Sequence, residues 1–165
     1  MTEKSKSPYL NSDNRLEDVI AAIQVMEKYG YYKLDFGGWS IRISGNNIRA
    51  LHWKNVFLEH PEFFRFDSNG EKVSLAWRRN CRRRYSVDHQ RELSFNEYKK
   101  LPQVELDRIS RVPLTGGEIS ILINTAINLH TRAIDQNKEN RWLSSPLFSL
   151  LGVALGAFLV WIGQQ

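Results

Sequence analysis

The chain has 165 residues, a formal net charge of +5 and one cysteine. That length suits one compact domain with accessory segments, and the lone Cys81 excludes an intramolecular disulfide and fits a reducing compartment. The basic balance favours anionic partners, and no HExxH, GxSxG, Walker or Rossmann glycine pattern points to an enzyme, a metal or a cofactor.

Residues 1–13 read as a polar tail with no apolar core, which argues against a cleaved secretory signal. From Arg15 to Lys28, Leu16, Val19, Ile20, Ile23 and Met26 recur at helical spacing, Asn14 and Glu17 resemble a capping box, and Gly30 ends the helix. Tyr31 to Phe36 is a short β-prone run. Gly37-Gly38 then breaks the chain, and Trp39 to Ser44 reads either as a strand or as a short helix that Ser40 would have to cap.

Asn47 to His60 predicts a second helix, ended by Pro61. Ala50, Trp53, Val56, Phe57 and His60 fall on one side, and Arg49, His52, Asn55 and Glu59 on the other. Phe63 to Asp67 and Lys72 to Arg78 read as two strands joined by Asp67-Ser68-Asn69-Gly70, with the Asn-Gly pair favoured in tight hairpins. The aromatics Trp53, Phe57, Phe63, Phe64, Phe66 and Trp77 are most economically a core. This order of elements, over residues 14–80, resembles the winged-helix architecture, with the hairpin as the wing.

Directly after the hairpin, five arginines fall within the seven positions 78–84: Arg78, Arg79, Arg82, Arg83 and Arg84. The resemblance implies that Arg49, His52 and Asn55 face bases and that Lys54 and these arginines face phosphates. Other roles stay open: winged-helix domains also bind proteins, Glu59 sits on the same face, and an arginine cluster also pairs with carboxylates of its own chain. His52 and His60 lie eight apart on one helix, too far to share a metal. His60-Pro61-Glu62 suggests acid–base work less simply than it suggests a helix end.

Residues 81–113 are polar and aperiodic, a linker or a loose subdomain. A long amphipathic helix over 114–141 follows, with Thr115 and Glu118 as a capping box. Its apolar positions Ile119, Leu122, Ala126, Leu129 and Ala133 suit either packing on its own domain or self-association.

No Asp, Glu, Lys or Arg follows Arg141. Residues 145–163 are long and apolar enough to predict a transmembrane helix, with Trp142 and Trp161 at the two interfaces and Gly152 and Gly156 as a helix-packing pair. The flanking Lys138 and Arg141 place the N-terminal domain in the cytoplasm. The expectation is therefore an α+β, tail-anchored, single-pass membrane protein. Its basic domain would hold DNA, RNA or a protein partner at the bilayer. Two alternatives share this layout: a membrane-perturbing oligomer of the kind found in bacterial antiviral defence and toxin systems, and an adaptor subunit of a membrane complex.

Overall fold

The computed structural model describes residues 7–138. After a 3-10 turn at Pro8–Leu10, the order is α1 (Arg15–Lys28), β1 (Leu34–Asp35), α2 (Phe36–Ser44), α3 (Ala50–Glu59), β2 (Phe64–Phe66) and β3 (Lys72–Leu75). A second group follows: β4 (Tyr85–Ser86), β5 (Arg91–Glu92), α4 (Phe95–Lys99), α5 (Gln103–Leu106) and β6 (Ile109–Ser110). A further helix, α6, occupies 116–138.

The first sheet is antiparallel in the order β1-β3-β2, with Leu34 opposite Val73 and Phe66 opposite Val73 on the other side. The β2–β3 turn forms because Asp67 Oδ1 accepts from the backbone N–H groups of Glu71 and Lys72 at 3.0 and 3.1 Å. Gly70 supplies the left-handed φ of 70° there, which costs an L side chain steric strain.

The ambiguous segment after Gly37-Gly38 is a helix, and its cap is Asp35. That carboxylate accepts from Gly38 N at 2.6 Å, so both glycines lie in the first turn, where the cap offsets their poor propensity. α2 is then pinned from both sides. Trp39 Nε1 donates to Val73 O of the central strand at 2.9 Å, and Trp53 Nε1 of α3 donates to Ser44 Oγ at 2.8 Å. Trp39, Trp53, Phe57 and Phe64 form the core with Ile23, Met26, Val56, Val73 and Leu75. Trp77 departs from the expected aromatic core and is 40% exposed.

Residues 81–113 carry a second antiparallel sheet, ordered β5-β4-β6. Ser94 and Glu97 cap α4 reciprocally. Thr115 and Glu118 do the same before α6, which buries Leu122, Ala126 and Ala133 in the same core as α1 and the first sheet.

The membrane expectation is corrected. Among the described residues no helix is long and apolar enough to cross a membrane. α1 and α3 are too short for a hydrocarbon thickness of about 30 Å, and α6 carries Glu118, Arg132, Asp135 and Lys138. The structure therefore gives no support to a transmembrane, tail-anchored, single-pass protein. The apolar segment 145–163, with Trp142, Gly152, Gly156 and Trp161, lies outside the described residues.

The two sheets meet at Arg78. The chain leaves β3 at Ala76, whose φ and ψ of −57° and −47° are helical, and coils through a 3-10 turn at Trp77–Asn80. That rotation sends Arg78 inward, to complete burial. Its Nη1 donates to Met26 O and Tyr29 O at 2.7 and 2.6 Å, and its Nη2 to Gly30 O and Arg111 O at 3.0 and 3.1 Å. Met26 lies in the last turn of α1, where carbonyls lack intrahelical donors and the helix dipole favours a cation. Burial draws the Arg78 guanidinium down to about 10, so it stays charged at neutral pH.

Removing this group leaves four inward-facing carbonyls without their donor. We expect Arg78→Ala to lower the unfolding free energy by about 3 kcal/mol or more. Arg78→Lys should recover only part, because one ammonium lacks the fork that spans α1 and Arg111. Urea denaturation of the full chain checks both, and an unchanged midpoint for Arg78→Ala would refute the capping role.

Candidate functional site

The expected nucleic-acid residues divide between buried and exposed positions: Arg79, Arg82 and Arg83 are exposed, and Arg78 is not. Arg78 is the buried cap just described. Arg79 donates to Phe66 O at 3.0 Å, and Arg83 to Ile109 O and Leu106 O at 3.2 and 3.3 Å. Arg84 pairs with Glu92 at 3.2 Å. Arg82 projects furthest, with its side chain 75% exposed and a loose 3.9 Å contact to Glu92. The cluster is thus mainly a set of clamps on main-chain carbonyls: Arg78 joins the end of α1 to Arg111, Arg79 holds β2, and Arg83 holds the chain at α5 and β6. Arg111 adds to it by donating to Cys81 O at 2.6 Å. The turn between β2 and β3 carries Asp67 and Glu71, a charge that suits phosphate poorly.

Helix α3 divides its residues three ways. Trp53, Val56, Phe57 and the capping His60 face the core. Arg49 and His52 turn sideways towards α1. His52 Nε2 lies 3.0 Å from Asp18 Oδ2, Arg49 Nη2 lies 3.7 Å from Asp18 Oδ1, and the two side chains touch each other at 2.9 Å. Lys54 Nζ rests 5.4 Å from the centre of the Phe36 ring. Asn55 stands exposed between them.

The outward face is apolar. Ile48 is 86% exposed, Leu51 76% and Leu58 53%. Within the helix Leu51, Asn55 and Leu58 fall within about 60° of arc at 100° per residue, opposite the buried face, and Ile48 stands in the turn just before it. This stripe is a candidate surface that the sequence reading missed. Helical spacing assigned one apolar side to the core, and a second apolar side at 48, 51 and 58 was the available signal.

Two other places were candidates for chemistry. At the end of α3, His60 is buried, and its Nδ1 lies 3.0 Å from Glu62 Oε1. Tyr9 OH donates to the same oxygen at 3.4 Å, and the Tyr9 ring lies 4.5 Å from the His60 ring. Burial raises the Tyr9 hydroxyl, aided by the Glu62 charge. Burial also pushes the Glu62 carboxyl up, but the hydrogen bond from His60 and further donors outweigh it and hold it below the ordinary value. The group ties the N-terminal turn to α3 and α6, with the imidazole enclosed rather than presented.

The second place is a cleft of about 740 Å³ beside β4 and α4, lined by Asp88, His89, Arg91, Glu97, Lys100 and Arg108 among others. Its charges are largely matched within the chain: Arg91 reaches Glu97 at 2.6 Å, and Arg108 bonds Asp88. The Arg91 contact holds the Glu97 carboxyl down at about 2. Among the described residues no group of three His, Cys, Asp or Glu side chains is placed to hold a metal ion. No family model, no curated protein and no solved structure matches the chain.

Glu62 generates a pH prediction. A depressed carboxyl stabilises the fold above its ordinary value, about 4.3, and that contribution is lost as pH falls through the lower folded value. Wild type should therefore exceed Glu62→Gln in stability at pH 6–7, with the gap closing below about pH 4. Thermal unfolding of the two proteins across that range tests it; a gap independent of pH would show that Glu62 acts by packing alone.

Proposed function

We propose that residues 14–80 are a winged-helix-like module that binds protein through the outward face of α3. The observation that carries this reading is the exposed Ile48–Leu51–Leu58 stripe. Burying a Leu or Ile side chain contributes about 1.5–3 kcal/mol, whereas DNA offers little apolar surface beyond thymine methyl groups. The β1-β3-β2 order supports the module, with α1, α2 and α3 preceding the hairpin. Arg49 and Lys54, beside the stripe, favour a partner with carboxylates flanking an apolar surface.

A second reading, nucleic-acid contact, is favoured by the exposure of Arg82 beside Arg79 and Arg83. It requires those side chains to leave the carbonyls they now hold.

The two readings separate on substitution. Leu51→Asp with Leu58→Asp should leave stability within about 1 kcal/mol, as exposed sites usually do, and abolish recovery of proteins cross-linked to the full chain in cells. Arg79→Ala with Arg82→Ala should change recovery little. Equal recovery by the aspartate variant would overturn the protein-binding reading. Duplex binding that weakens steeply with salt and depends on Arg82 would put nucleic acid in its place.

A further inference from the structure

We infer that the occupant of the α3 face is a second copy of this chain, paired parallel and in register along Leu51, Asn55 and Leu58, with Ile48 of the preceding turn at the N-terminal end of the pair. This rests on the reading of α3 as a protein-binding face and names its partner.

Three observations point to self-pairing. The first is spacing. Within α3 the steps of four and three from Leu51 through Asn55 to Leu58 are those of a two-stranded seam, with leucine at the two equivalent positions.

The second is Asn55. It sits between Leu51 and Leu58 on the exposed face, so any apolar partner that covers the stripe covers its amide as well. A covered amide without a partner costs about 1–3 kcal/mol. A two-fold axis supplies the partner automatically, because Asn55 meets Asn55 of the second copy and an amide both donates and accepts. A single buried Asn of this kind fixes register in such seams.

The third is charge. Lys54 and Glu59 lie on opposite flanks of the stripe, five residues apart. In a parallel pair each Lys54 comes beside Glu59 of the second copy, on both sides of the axis. In an antiparallel pair lysine would meet lysine and glutamate would meet glutamate. Glu59 already contacts Arg15 through Oε2 at 3.1 Å, yet its side chain stays 30% exposed, and Lys54 leaves the Phe36 ring to reach it.

The seam is short. Ten residues of helix span about 15 Å, fewer than three turns, so the contact holds far fewer than the roughly 20–30 residues a side of a standard interface. The pair is accordingly weak and suits association at high local concentration.

The test is disulfide trapping in the full chain, in a Cys81→Ser background. Asn55→Cys and, separately, Ile48→Cys are oxidised with copper phenanthroline at rising protein concentration. Glu17→Cys, exposed on α1, reports random collision. A facing seam position brings Cα atoms within disulfide reach, about 4.4–6.8 Å, so Asn55→Cys should give covalent dimer at several times the control yield, and Ile48→Cys, in the turn where two parallel helices begin, should also exceed the control. Adding Leu51→Asp should cut the yield by about tenfold or more, the loss of one buried leucine. Lys54→Glu should also lower it, since it sets carboxylates side by side.

Trapping at Asn55→Cys but not at Ile48→Cys would overturn the parallel register. Trapping no better than Glu17→Cys, or unaffected by Leu51→Asp, would overturn self-pairing altogether. If self-pairing fails while Leu51 and Leu58 still govern recovery of other proteins, only the identity of the partner is wrong. If both fail, the protein-binding reading falls with it.

Discussion

The fold turns on one buried guanidinium. Helix α1 ends with carbonyls that no backbone N–H can reach, and β3 must somewhere stop and hand the chain to the second sheet. Arg78 meets both demands. Its two terminal nitrogens reach Met26 O, Tyr29 O, Gly30 O and Arg111 O, so the end of α1 and the strand returning from the second sheet share one donor. A buried charge is expensive unless hydrogen-bonded. Four carbonyl contacts supply that compensation, and the helix C-terminus adds a favourable dipole. The planar fork matters more than the charge, because only a fork spans acceptors that lie on two sides of the junction.

That constraint propagates into the arginines around it. Once Arg78 fastens the junction, Arg79, Arg83 and Arg111 lie along the same seam and find carbonyls of Phe66, Ile109, Leu106 and Cys81. A run that looks uniform in one dimension divides in three: Arg78 is a buried clasp, while Arg79, Arg82 and Arg83 stay exposed. Positive charge in sequence is free to bind anions only where folding leaves it without acceptors, and here the short strands and irregular connections of residues 81–113 expose many.

Legibility followed periodicity. α1 and α3 repeat apolar residues at helical spacing, and the Asn69-Gly70 turn flanked by Phe66 and Val73 announces a hairpin, so these elements could be placed from residues alone. α2 was ambiguous because its glycines obscure a helix whose cap, Asp35, lies before them. β3 was read too long because alternation carries on through Trp77, while the chain has already coiled to bring Arg78 inward. The sheet of residues 81–113 left no signal, since strands of two residues are too short to show a period. The apolar run beyond Arg141 dominated the reading of place and topology, yet the described fold contains no membrane-spanning helix, and its organisation owes nothing to one.

The candidate surface was legible only in part. Periodicity placed the helix, but not which of its polar residues the fold engages. Arg49 and His52 were assigned to the outer surface because they are polar, but Asp18 on α1 lies beside them and is itself nearly buried. A carboxylate in that position needs donors, and α3 provides two on one edge. Their engagement has a consequence for the face they leave. With Trp53 and Phe57 holding α3 from within and Asp18 holding it from the side, the roll of the helix is set, and Leu51 and Leu58 cannot turn inwards to escape water. The apolar stripe is therefore a surface that the core and the polar clasp jointly hold open. Its fixed presentation lowers the ordering cost that a partner must overcome, because preorganised side chains lose little freedom on binding.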